Sequence, residues 1–209
     1  MAELSGDEAM PLLRLPGKKA IRGCRGLRQS GFTMVELMVT VAVAAVLLAL
    51  ATPSFEGVLN GNRLASQSNE LVAALQIGRS EAVKNNARVI VCRSTNLTTC
   101  AAGAAWTGWV AGIDSNRDGQ VDQVLKVGSI SAPLQVFSSS NIEQSRVTIR
   151  PDGYAYKQDG TLLVASIAVC IPTIRPTENV RAVTITAGSR IETKSLDGGG
   201  ACAALGNTP

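Results

Sequence analysis

Residues 29–55 read QSGFTMVELMVTVAVAAVLLALATPSF, an apolar run that carries one carboxylate, Glu36, close to its start. From Leu37 to Phe55 nineteen consecutive residues are uncharged, most of them Val, Ala and Leu. About twenty apolar residues are needed to cross the hydrocarbon core as a helix, so this run is just long enough. Arg22, Arg25 and Arg28 precede it with no acidic residue among them. The positive-inside tendency predicts that this side stays in the cytoplasm and that the bulk of the chain crosses, a single-pass arrangement with the lipid bilayer as a partner. A carboxylate in hydrocarbon is costly and asks for a positive group at similar depth. Two plainer readings stand beside this one. An ordinary signal peptide would be cut after the run, near LALATPS, and an ordinary anchor would let Glu36 snorkel to the interface.

The chain has 209 residues, enough for one substantial domain plus an N-terminal extension. Aromatic residues make up only 3%, so the core must be built from small aliphatic side chains. Histidine is absent, which removes the commonest general base and metal ligand. No glycine-rich nucleotide loop with a lysine and no nucleophile elbow is present, so the expectation is a non-enzyme without cofactor or metal. The net charge of +4 is uneven: six basic and three acidic residues lie at or before Gly31, leaving fourteen against thirteen after it. Overall basicity therefore does not argue for nucleic-acid binding; only a local patch could. Cys92, Cys100, Cys170 and Cys202 follow the leader, an even four. Seven residues between the first two suit a small closed loop, which leaves Cys170 with Cys202 to tie down the tail; free or differently paired thiols are the alternative. Oxidised, they would place the domain outside the cytoplasm.

Pro53 should kink or loosen the helix, and Gly57 and Gly61 follow it. Residues 62–86 continue as an amphipathic helix, with Leu64, Ser68, Leu71, Leu75, Gly78 and Ala82 on the face expected to meet a sheet. Gly78 suggests close packing against another backbone, or tolerance on the solvent side. Beyond Asn86 the period changes. ARVIVCRS, GWVAGID, QVLKVG, LQVFSS, SRVTIRPDGYAY, TLLVASIAVCI and RAVTITAGSRIETK are short and rich in β-branched residues, which predicts about seven strands, antiparallel, in two small sheets over the helix.

The segment from Gly31 to Phe55 resembles the N-terminal signal of type IV pilins and type II secretion pseudopilins: a basic leader, Gly31, Phe32, and Glu36 five residues into the mature chain. The resemblance implies a prepilin peptidase as a partner, cutting after Gly31 and methylating Phe32, with Glu36 pairing in assembly with the N-terminal amine of another subunit. Further on, NELVAALQIGRSEAVKNNARVIVCRS, Cys100 and WTGWVAGIDSNRDG resemble the GspH/FimT group of minor pilins and pseudopilins. The fold class implied is α+β and pilin-like: a basic leader over 1–31, a transmembrane helix over 32–55, its amphipathic continuation over 56–86, and a periplasmic β-rich domain over 87–209. The implied partners are other pilins or pseudopilins, and the implied place is the inner membrane or a pilus. The cysteines at 92 and 100 and the closing RAVTITAGSRIETKS lean to the pilus branch, FimT, with GspH of type II secretion as the alternative.

Three constellations remain. DSNRDGQVD, from Asp114, matches the first half of a calcium loop, but Leu125 stands where the bidentate glutamate belongs, so a polar turn capping its own backbone is expected. Trp106 and Trp109 are expected as core fillers rather than a base-stacking platform. Some FimT members bind DNA through a C-terminal Gly-Arg-x-Arg motif. Here AGSRIETK has Ser189 inserted after Gly188, Arg190 present, and Glu192 in place of a second arginine. Arg181, Arg190 and Lys194 form the candidate patch for double-stranded DNA, with Arg146 or Arg150 joining if their strands are adjacent; solvated strand charges are the plainer reading.

Overall fold

The computed structural model describes residues 31–208, except for the side chains of 50–54. The leader expected over 1–31 lies outside the described residues apart from Gly31. The elements run α1 (Met34–Lys84), β1 (Arg88–Arg93), β2 (Ala105–Trp106), β3 (Gly108–Asp114), β4 (Gln123–Ser129), β5 (Gln135–Ser138), β6 (Arg146–Ile149), β7 (Ala155–Tyr156), β8 (Ala165–Cys170), β9 (Val180–Ile185) and β10 (Ile191–Leu196). The chain divides into two compact units, Met1–Ala44 and Ala45–Pro209.

In the first unit, every residue from Gly31 to Ala44 is exposed. Met34, Val35, Leu37, Val39 and Val41 stand open along the start of the helix and Phe32 just before it, so no face of this stretch is covered among the described residues. Among the described residues no helix is long and apolar enough to cross a membrane. The expected span over 32–55 includes positions 50–54, whose side chains lie outside the description, and so does the side chain of Pro53. The helix assignment is continuous through Gly57 and Gly61.

In the second unit, the helix face predicted from periodicity is the buried one. Leu64, Ser68, Leu71, Leu75, Gly78 and Ala82 are all buried, joined by Gln67 and Ala74. A methyl group added at Gly78 would press on Ile149 Cδ1, Val89 Cγ1 and Val91 Cγ2 at 3.2–3.4 Å. The glycine thus admits side chains of the facing sheet, not another backbone as expected. The helix ends where Asn86 takes a left-handed φ of 48°, and the N–H of Ala87 donates to the carbonyl of Ala82 at 3.2 Å.

Among the described residues ten strands stand where about seven were expected, in two five-stranded antiparallel sheets ordered β4-β3-β1-β6-β7 and β10-β9-β8-β5-β2. SRVTIRPDGYAY and RAVTITAGSRIETK each contain a turn and so supply two strands apiece, while β2 is only two residues long. The inner faces of both sheets share one core with the helix: Val89, Val91, Trp109 and Val147 from the first, Val136, Ile167, Val169 and Val183 from the second, against Leu64, Leu71 and Leu75. Trp106 and Trp109 belong to this core, as expected.

The outer faces are covered in part by loops that disulfides hold. Cys92 is bonded to Cys100 and Cys170 to Cys202, with Cα separations of 5.5 and 5.7 Å. Ile90, Cys92 and Val110 form a small cluster beneath Cys100 and Val121. Ala168, Cys170 and Val180 form another with Phe137, Leu196, Cys202 and Leu205. Strands such as β3 and β8 are therefore buried on both faces, which is why they read as nearly unbroken apolar runs.

Candidate functional site

At the N-terminal end, Thr33 caps α1: its Oγ1 accepts the N–H of Glu36 at 3.2 Å, and its carbonyl accepts the N–H of Leu37 at 3.1 Å. The side-chain oxygen satisfies one of the donors a helix start leaves orphaned. Glu36 stands three residues after the cap, in the first turn, where the helix dipole favours a carboxylate. The segment Thr33-Met34-Val35-Glu36 also has the residue types of a capping box, a signal the sequence reading missed. Among the described residues the Glu36 carboxylate has no ion-pair partner, and it is exposed. Gly31 and Phe32 precede the helix in an open, irregular stretch. A cap, a carboxylate and an uncovered apolar surface thus lie within one short segment.

The C-terminal candidates are dispersed. In the β9–β10 pairing Arg181 lies opposite Ser195 and Lys194 opposite Ala182. Side chains alternate faces along a strand, so Arg181 and Lys194 sit on opposite faces of the sheet. Arg190 lies at the turn, where its Nε is 3.0 Å from the Glu192 carboxylate. Arg181 is held near Glu178, at 3.9 Å. The inserted Ser189 is buried at the turn with φ of 54°. Its hydroxyl accepts the N–H of Ala155 at 2.7 Å, and its carbonyl accepts from Arg79 of α1 at 3.3 Å. The residue that breaks the DNA-binding motif thus fastens the hairpin to the helix and to β7. Arg146 and Arg150 do not join the hairpin, because β6 belongs to the other sheet.

The Asp114–Asp122 loop uses its polar side chains on its own backbone. Asp114 Oδ2 accepts from Gly119 N–H at 3.2 Å, Asp118 Oδ1 from Gln120 N–H at 2.7 Å, and Asp122 Oδ2 from Ser115 N–H at 2.7 Å. The buried Asp114 carboxylate is also 3.1 Å from Arg88 Nε. Among the described residues no group of three or more His, Cys, Asp or Glu is placed to hold a metal ion. Close by, Arg146 donates to the carbonyl of Gly119 at 2.6 Å, and the Arg150 guanidinium lies 4.0 Å from the centroid of the Tyr156 ring. Lys157 pairs with Asp159 at 2.8 Å. That hydrogen bond, with those from Thr161, holds the Asp159 carboxyl well below the usual carboxylate range.

Residues 26–52 match the model of the prokaryotic N-terminal methylation motif. Residues 67–189 match the model described as type II transport protein GspH, which covers more than half of the chain. No curated protein matches in sequence. Among solved structures, the type IV minor pilin FimU of Pseudomonas aeruginosa is similar in two crystal forms. One is 24% identical over 64% of this chain and 89% of that one, with a TM-score of 0.46. The other is 22% identical over 63% and 92%, with a TM-score of 0.44. The length of the match over helix and sheets, preceded by the methylation motif, places this chain in the GspH family of pilin-like structural proteins.

Proposed function

We propose that the chain is a minor pilin-like subunit that is cut by a prepilin peptidase after Gly31, methylated on the new amine of Phe32, and assembled through its helix. In this reading it sits in the inner membrane with its β-rich domain in the periplasm until it joins a filament or its priming complex. The observation that carries the reading is the segment 31–49, which is apolar on every side, exposed among the described residues, capped by Thr33 and marked by Glu36. A helix that is hydrophobic all round needs lipid or other helices around it. Cleavage supplies a cation beside such a surface, and Glu36 supplies the matching anion for a neighbour's amine, offsetting the cost of both charges in hydrocarbon.

The test is incorporation. Glu36→Leu should still be inserted and cut, yet co-purify with the other pilins at least about tenfold less, the effect of roughly 1.4 kcal/mol of lost pairing. Wild-type co-purification of Glu36→Leu would remove the assembly role. The pilus reading is supported by the cysteines at 92 and 100 and by the closing strand, and the type II secretion reading by the family description; co-purifying partners separate them. DNA uptake through the β9–β10 hairpin is not favoured, since Arg181, Arg190 and Lys194 do not converge.

A further inference from the structure

Outside α1, the most exposed large apolar side chain among the described residues stands in the loop between β8 and β9. Ile174 is 72% exposed, whereas Val124, Val127, Tyr154 and Leu162 do not exceed 44%. The loop is braced on several sides. The buried Asn179 donates to the carbonyls of Ile171 at 2.9 Å and Ala201 at 3.1 Å, and its Oδ1 accepts the N–H of Gly198 at 2.8 Å. Thr173 Oγ1 accepts the N–H of Arg175 at 3.1 Å, and the Cys170–Cys202 disulfide ties the base of the loop to the tail. Gly200, with φ of 80°, lies against Ile174, whose Cγ2 would be 3.0 Å from a methyl group added there. The fold thus holds an isoleucine outward. Arg175 beside it is exposed, and its guanidinium makes no ion pair among the described residues.

The place of this loop along α1 gives the exposure a meaning. Asn60 Nδ2 donates to the carbonyl of Arg175 at 3.0 Å, so the loop meets the helix one turn before Leu64, its first buried residue among those described. Phe55, which ends the uncharged run, lies five residues before Asn60, about 7.5 Å along a helix. A bilayer has about 30 Å of hydrocarbon within about 40–45 Å overall, which leaves a headgroup layer of about 5–8 Å on each side. With the run through Phe55 in the hydrocarbon, the loop stands at the level of the headgroups. Val58 and Leu59, both exposed, keep the helix surface apolar up to that level, and Ile174 extends the exposure onto the β-rich domain.

We infer that the β8–β9 loop binds the phospholipid surface of the periplasmic leaflet, with Ile174 at the boundary between headgroups and acyl chains and Arg175 on a lipid phosphate; this rests on the membrane-spanning reading above. An exposed aliphatic side chain is stabilised at that boundary, and a guanidinium fork matches phosphate oxygens. The neighbouring acids do not oppose the contact. Glu178 is held toward Arg181 at 3.9 Å, and Glu56, exposed at the same depth, suits the ammonium of a zwitterionic headgroup. A protein partner would call for an apolar centre, whereas here a single large apolar side chain stands beside a cation in a polar loop. The contact holds the domain against the membrane before assembly and is given up when the helix enters a filament.

The experiment reconstitutes the full-length chain carrying Ile174→Trp in vesicles of phosphatidylethanolamine and phosphatidylglycerol and reads quenching by a nitroxide on the lipid headgroup. The native Trp106 and Trp109 are buried and supply a constant background. A tryptophan within the headgroup layer should lose about half of its emission. Tyr154→Trp is the control: Tyr154 follows Gly153, where an added methyl group would meet Val83 Cγ2 at 3.2 Å, about 35 Å along α1 from Asn60, so its tryptophan should be unquenched. Adding Arg175→Glu to Ile174→Trp should reduce the quenching at least about twofold, with an unaltered thermal midpoint as the sign of an intact fold. Quenching of the inserted Ile174→Trp protein no greater than that of the control would overturn the inference and leave the span standing. A blue-shifted but unquenched tryptophan would assign the loop to a neighbouring subunit and overturn it likewise, as would quenching indifferent to Arg175→Glu for the phosphate contact. Failure of the protein to float with the vesicles would overturn the inference together with the membrane reading.

Discussion

The two ends of α1 meet their surroundings in opposite ways. Between Met34 and Ala49 the apolar side chains are exposed on all sides, whereas between Leu64 and Ala82 one strip is buried under two sheets and the exposed positions are polar. Among the described residues nothing covers the first pattern, and in the function proposed above lipid or other helices do. The second gives the domain its core. The comparison teaches that the same secondary structure can be stabilised by the fold in one stretch and be left for an external environment in another.

The sharpest way to break this comparison is to truncate one side chain in each stretch and measure urea unfolding of the protein in detergent. Leu71→Ala removes a fully buried side chain and should cost about 2–5 kcal/mol. Val39→Ala, more than half exposed, should stay within about 0.5 kcal/mol. Equal losses would mean that the first stretch packs on the domain after all. The loops that cover the sheets come next. Replacing Cys170 and Cys202 by Ser opens a link across 32 residues and should cost about 3.7 kcal/mol on chain entropy, against about 2.5 for Cys92 and Cys100, 8 residues apart. Reversal of that order would show that the tail is held by contacts rather than by its link.

Ser189→Ala is expected to cost about 1–3 kcal/mol, because the buried N–H of Ala155 loses its acceptor. Thermal unfolding measures it, and a neutral result would return Ser189 to the role of a bystander in the turn. The smallest effect belongs to the exposed Asp159. Its folded-state carboxyl is held below the ordinary value by Lys157 and Thr161, so its contribution is present above the unfolded value of about 3.9 and is lost as pH falls through the folded value. The difference in thermal midpoint between wild type and Asp159→Asn should be constant near neutrality and close only in strong acid. A difference that closes as pH rises would contradict that sign.

Much of the fold was legible because its signals are local. The spacing of Leu64, Ser68, Leu71, Leu75, Gly78 and Ala82 marked the buried strip, although Gln67 and Ala74 escaped notice because a glutamine and an alanine carry little apolar signal. The Cys92–Cys100 link followed from the short spacing of that pair, and Cys170–Cys202 from the two cysteines that remained. Strand number was miscounted where a turn hides inside an apolar or β-branched run: Gly153, with φ of 79°, separates β6 from β7, and Ser189 takes a left-handed conformation that serine seldom advertises. The gathering of basic residues on the outer face of the first sheet was least legible: Arg88, Arg146, Arg150 and Lys157 are scattered over seventy residues, and the order β1-β6-β7 brings their segments together. In the β9–β10 hairpin, in contrast, the pairing puts Arg181 and Lys194 on opposite faces of the sheet.

The central claim is that the uncovered stretch of α1 is retained and given a new terminus. Intact-mass measurement of the mature protein, with sequencing of its N-terminal peptide, tests this most directly. The account predicts an N-terminus at Phe32 carrying one added methyl group on its amine, with Glu36 still in the chain. A mature N-terminus beyond residue 50, which would discard the apolar stretch as an ordinary signal peptide, would contradict it.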